Sequence, residues 1–133
     1  MAASKRDLRA YSSVAGEPPD LVGDWVNELG SVLTIEAVAS GVISGAYRSS
    51  VSQKNDPTAG RVTGLVAGDC IGFVVNWAPR FTAVTAWSGK LLAAPDGKPC
   101  IYSVWQLSGP MRDPASWWES FLTGADMFWR DGD

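Results

Sequence analysis

The punctuation between apolar runs constrains this chain more than any other feature. Ser40-Gly41, Gly68-Asp69 and Ala94-Pro-Asp-Gly-Lys-Pro99 are turn signals, and none of the joints leaves room for a crossover helix. Val32 to Val38, rich in β-branched residues, reads as a strand. Further strands are expected over 23–31, Val42 to Val51, Arg61 to Ala67, Cys70 to Trp77, Phe81 to Leu92, Cys100 to Leu107 and Ala125 to Arg130. Ser52 to Gly60 is a loop by composition, and Ala78-Pro79-Arg80 breaks the fifth strand. Asp113 as N-cap with Pro114 at the first helical position predicts a short helix before the last strand, carrying Trp117 and Trp118 and ending at Gly124. The expected fold is therefore all-β: eight antiparallel strands wound up and down, closing into a barrel whose interior holds one small ligand. A sandwich of seven to nine strands is the alternative, and the short, even connections favour the meander.

With 133 residues the chain makes one domain. Residues 1–20 read as an N-terminal tail or short helix, with Leu8 to Val14 long enough for two turns, and 21–133 as the barrel domain. A formal net charge of -3, with no basic cluster larger than Lys5-Arg6, argues against nucleic acid as a partner. No apolar run approaches bilayer length, so no membrane partner is expected, and the first twenty residues lack the apolar stretch of a secretory signal.

Absences narrow the chemistry further. The chain has no histidine, the commonest general base and zinc ligand. It has neither a Gly-x-Ser-x-Gly elbow nor a Gly-rich phosphate loop. No catalytic residue, metal site or cofactor is expected, and the chain is read as a binding protein rather than an enzyme. Its two cysteines, Cys70 and Cys100, should both point out of the barrel, on strands separated by a third. Two inter-strand spacings put their Cα atoms about 9–10 Å apart, beyond disulfide reach. Free thiols or an intersubunit contact are expected.

Faces read with period 2 then collect an unusual set. Trp25, Asn27, Leu29 and Ser31 share one face if the first strand runs to Ser31; Asn-Glu-Leu-Gly-Ser reads as readily as a hairpin turn. Tyr47, Ser49 and Val51 share another face, as do Thr85 with Trp87, Ser103 with Trp105 and Leu107, and Asp126 with Phe128. In a meander, strands one, three, five and seven point the same way. Asn27, Ser31, Tyr47, Ser49, Trp77 and Trp105 then gather at one end, where strand six begins. A single tryptophan is usually packing. Aromatics converging with hydroxyls, an amide and a carboxylate argue for more, because each buried polar group needs a partner.

In this order and spacing, five segments resemble the avidin/streptavidin family over about residues 21–130. They are Gly23-Asp-Trp-Val-Asn-Glu-Leu-Gly-Ser31, Gly45-Ala-Tyr-Arg-Ser49, Thr85-Ala-Trp-Ser-Gly89, Trp105-Gln-Leu107, and Trp118 followed eight residues later by Asp126. The resemblance implies tight, non-catalytic binding of biotin at the open end of an eight-stranded barrel; biotin–streptavidin is among the tightest non-covalent complexes known. It implies that Asn27, Ser31 and Tyr47 donate to the ureido oxygen, while Ser49 and Asp126 accept from the two ureido N–H groups. Trp77, Trp87 and Trp105 would enclose the rings, Thr85 would sit near the thioether sulfur, and Leu29, Val51 and Leu107 would form apolar wall. Trp118 would be lent to a neighbouring subunit's site, in a homo-oligomer where a tetramer is favoured over a dimer. Trp25 would be core.

The departures bear on the other end of the ligand. A family serine that binds the biotin carboxylate falls at Ala83, so Thr82, Arg80, or Lys54 and Asn55 of a slightly longer lid loop are candidates to replace it. The resemblance also implies secretion, with a cytoplasmic location as the alternative. The absence of an Asn-x-Ser/Thr acceptor suggests a bacterial source. Competing functions are an avidin-like barrel with a different small ligand and an enzyme or inhibitor built on this scaffold.

Overall fold

The computed structural model describes residues 7–14, 19–50 and 58–131. Nine strands follow in chain order: β1 (Ser12–Ser13), β2 (Gly23–Asn27), β3 (Val32–Ala39), β4 (Val42–Ser49), β5 (Thr58–Ala67), β6 (Cys70–Asn76), β7 (Val84–Ala93), β8 (Pro99–Ser108) and β9 (Phe121–Arg130). From β2 to β9 each strand pairs antiparallel with the next, and β9 returns to pair with β2. The sheet is thus a closed eight-stranded up-and-down barrel, and the sandwich alternative falls. Closure leaves none of these eight strands a free edge along its full length.

The turns do the work expected of them. Ser40 and Gly41 both have positive φ, 51° and 77°, which lets a two-residue hairpin join β3 to β4 with the right twist. Alternation along β6 buries Ile71, Phe73 and Val75 and exposes Cys70, Val74 and Asn76.

One end of the barrel is plugged. Trp25 is fully buried, and its indole N–H donates to the carbonyl of Leu21 at 3.0 Å. The Arg130 guanidinium lies 4.5 Å from the Trp25 ring centroid and donates to the carbonyls of Asp20 and Val22. The C-terminal ends of β2, β4, β6 and β8 and the starts of β7 and β9 meet at the opposite end.

Several elements differ from expectation. The first strand stops at Asn27 and the chain turns through 28–30, so Ser31 lies across the turn rather than farther along the strand. Leu8 to Val14 is not two turns of helix. A single 3-10 turn, Leu8–Ala10, gives way to β1, because β7 extends beyond its pairing with β6 and offers Leu92 and Ala93 as partners. Strand β5 begins at Thr58, inside the segment read as loop, and β7 begins only at Val84. The helix over Pro114–Ser120 is 3-10, kinked at Ser116. It is capped as expected by the Asp113 side chain, which accepts from Ala115 N at 3.0 Å. It ends at Phe121 rather than Gly124, since Phe121 to Thr123 already pair with β8.

Both cysteines are free thiols, on strands separated by β7. Cys70 is exposed, whereas Cys100 is wholly buried. Burial, then the charge of Asp96, pushes the Cys100 thiol up to about 11.

Candidate ligand-binding site

The open end holds a polar cluster whose hydrogen-bonding directions are set by the turn at 28–30. Asn27 Oδ1 accepts from the backbone N–H groups of Leu29 (3.0 Å) and Ser31 (2.9 Å). With its oxygen committed to the turn, the amide presents its NH2 to the Tyr47 hydroxyl at 3.4 Å. Ser31 Oγ accepts from Ser50 N at 3.1 Å, which leaves its proton to donate inward, towards the Tyr47 hydroxyl. Tyr47 is buried, and burial followed by the charge of Asp126 drives its phenol well above the usual tyrosine range, so it stays an O–H donor. Asn27, Ser31 and Tyr47 thus bring three donor groups together, two of them turned on the Tyr47 hydroxyl.

Acceptor capacity comes from β9, the strand beside β2. Asp126 is buried, and its Oδ2 accepts the Trp87 indole N–H at 3.1 Å. Among the described residues nothing donates to its Oδ1. An ionised carboxylate can only accept, so that oxygen suits a ligand N–H. Two contacts hold the strand around Asp126: Ser103 Oγ donates to its carbonyl at 3.2 Å, and Met127 N–H donates to Glu28 Oε1 at 3.1 Å.

Aromatic rings enclose the cluster. Tyr47 and Trp87 have centroids 4.9 Å apart, and Trp77 meets Tyr47 edge-on at 5.9 Å. Phe73 stacks on Trp87 at 4.8 Å with 14° between planes. Trp77 donates to Thr85 Oγ1 at 2.9 Å, leaving the Thr85 proton available. Trp105 is directly opposite Trp87 in register on one side and Gly124 on the other. A Cβ at Gly124 would stand 2.4 Å from Trp105 Cζ2, so the missing side chain is what lets the indole lie there.

The structure brings Asn27, Ser31, Tyr47, Trp77, Thr85, Trp87 and Asp126 into one contiguous cluster, with Trp105 and Leu107 joined to it by strand register. Ser49 is half-buried at the end of β4, two residues beyond Tyr47. Leu29 touches the site through its backbone N–H, but its side chain is 61% exposed in the turn. Trp118 is 58% exposed and Trp117 55%. Val51, Lys54 and Asn55 lie outside the described residues. Thr82 is exposed and Ala83 half-buried, both in the turn after Trp77 rather than on β7. Among the described residues no group of three or more Asp, Glu, Cys or His could hold a metal ion.

Sequence reading alone gives no site role to four contributors. Phe73 and Phe128 share faces with Trp77 and Asp126, and that period was a usable signal. Glu28 and Ser50 act through contacts 99 and 19 residues away, and nothing local marks them.

The avidin family model matches residues 15–131. The chain belongs to the avidin family. It is 30% identical over 119 residues to avidin of Gallus gallus, covering 83% of this chain and 77% of that protein. The crystal structure of xenavidin superposes with a TM-score of 0.76 at 30% identity, covering 86% of this chain and 99% of that one. The X-ray structure of a biotin binding protein from chicken gives 0.73 at 27% identity, covering 84% and 95%. In this avidin-family barrel the donors and the carboxylate gather at the open end, above a core of Phe73 and Phe128.

Proposed function

We propose that this chain binds biotin, without catalysis, at the open end of its barrel. One observation carries the reading: three donors and a carboxylate oxygen, all buried, stand ready among aromatic rings with their other hydrogen-bonding positions already used. A cyclic urea is the complement of that set. Asn27, Ser31 and Tyr47 donate to its carbonyl oxygen, drawing it towards an oxyanionic form and strengthening the bonds. Ser49 and Asp126 accept from its two N–H groups. Trp77, Trp87 and Trp105 enclose the rings, Thr85 offers its hydroxyl to the thioether, and Leu107 with Val51 and Leu29 lines the exit. Because the protein's own hydrogen bonds already orient these groups, little ordering remains to oppose binding.

Oligomerisation belongs to the same reading. Trp117, Trp118 and Phe121 form an exposed aromatic cluster with centroid spacings of 6.1 Å beside the mouth, which suits a tetramer in which Trp118 covers a neighbour's site. A bacterial source and secretion remain part of the proposal. Titration with biotin, following tryptophan fluorescence and mass by light scattering, tests it. Stoichiometric perturbation of the emission, one ligand per chain, is the expected result. Folded material whose fluorescence and heat of mixing do not respond to biotin would overturn it and favour a different small ligand.

A further inference from the structure

Beside the site is a cleft that shares only Leu107 with the roles above. It has a volume of about 460 Å³ and lies between the end of β8, the start of β9 and the connection joining them. Leu107 and Leu122, directly paired across β8 and β9, form its apolar side, and Arg112, Asp113, Ser116 and Glu119 its polar side. Leu107 also pairs with Thr85, so the cleft continues the ring site outward. Along β9, Leu122 lies four residues before Asp126, roughly 13 Å at the usual rise per residue. A tail leaving a ring bound at Asp126 towards the mouth runs into this cleft.

The charges say what kind of tail. Asp113 is held as the helix cap, while Arg112 and Glu119 have no ion-pair partner among the described residues. One cation and two carboxylates give the cleft a net charge of -1, which disfavours a bare carboxylate. Ala83, where the resemblance implies a carboxylate-binding serine, has no side-chain hydrogen-bonding group. A tail carrying both signs fits better, with methylenes against the leucines, a carboxylate on Arg112 and an ammonium on Glu119.

Resting on the biotin reading, we propose that the cleft is a subsite for the amino-acid end of biotin joined by an amide to a lysine side chain, so that the protein prefers biotinylated lysine to neutral biotin amides. Two largely exposed ion pairs are each worth up to about 1 kcal/mol, so the expected preference is about three- to thirty-fold. It shrinks as salt rises.

The test compares dissociation of Nε-biotinyl-lysine and biotin methylamide from the full chain and from Arg112→Ala, Glu119→Gln and the double variant. Slower release of the lysine conjugate from the parent, abolished in the double variant with methylamide release unchanged within twofold, is the expected result. Equal release of the two ligands from the parent, or a preference that survives the double variant, overturns the subsite while leaving biotin binding intact. Failure of the parent to take up either compound refutes the underlying biotin reading, and the subsite with it.

Discussion

Asp126 carries two separable roles, and two substitutions pull them apart. Its Oδ2 accepts the buried Trp87 N–H at 3.1 Å, and its Oδ1 is the acceptor assigned to a ureido N–H. Asp126→Asn and Asp126→Ala both remove the charge, so they differ chiefly in whether Trp87 keeps an acceptor. An orphaned buried donor costs about 1–3 kcal/mol, which in a domain of this size lowers Tm by roughly 3–12 °C. The Ala variant should therefore melt lower than the Asn variant by that amount. The Asn variant should melt at or above the parent, because it loses a buried charge. Binding follows a different order. With its oxygen on Trp87, the Asn side chain turns its NH2 to the ligand's N–H, donor against donor. A hydrogen bond to a charged acceptor contributes about 1.5–3 kcal/mol, so affinity falls at least ten- to a hundredfold in both variants. Thermal unfolding at fixed protein concentration and biotin dissociation rates measure the two effects. An Asn variant that holds biotin as the parent does, or that melts as low as the Ala variant, would refute this account of the carboxylate.

Other perturbations follow from the same geometry. Gly124→Ala places a methyl 2.4–2.9 Å from three atoms of the Trp105 indole, so the ring must swing away or the fold must absorb about 1–3 kcal/mol of overpacking. Faster biotin release with altered tryptophan emission is the expected outcome. Trp118→Ala removes an exposed ring, so the protomer should keep its fold. If the ring covers a neighbour's site, biotin should leave about thirtyfold faster, as for an interface hot spot. Cys70 should react with a thiol reagent at pH 8 while Cys100 stays protected until the chain unfolds. The Cys100 thiol is higher in the folded chain, about 11, than its ordinary 9.0. Its contribution to stability is therefore full below pH 9 and is lost as pH rises through 11. Denaturant titrations should show that alkaline loss, reduced in Cys100→Ala.

Much of this protein was legible in one dimension. Turn residues at Ser40-Gly41, Gly68-Asp69 and 94–99 mark where strands reverse, because only such residues accept those backbone angles. Period-2 faces on the runs between them place Tyr47, Phe73, Trp87 and Asp126 indoors. That is local chemistry, and it suffices for a meander and for the inward faces, though not for Ser31, which reaches the cluster across a turn. Pairing partners decided the rest. Gly124 reads locally as a helix stop, whereas in the barrel its missing side chain is what seats Trp105. Cys100 has an outward register but is fully buried, and β1 exists because β7 runs past β6. Whether Asn27 donates or accepts at the site depends on two N–H groups of its own turn, and the positioning of Asp126 on Glu28, 98 positions away in sequence. Apart from the local turn at Asn27, such contacts form only when the barrel closes, since a strand's own residues cannot specify what lies across it.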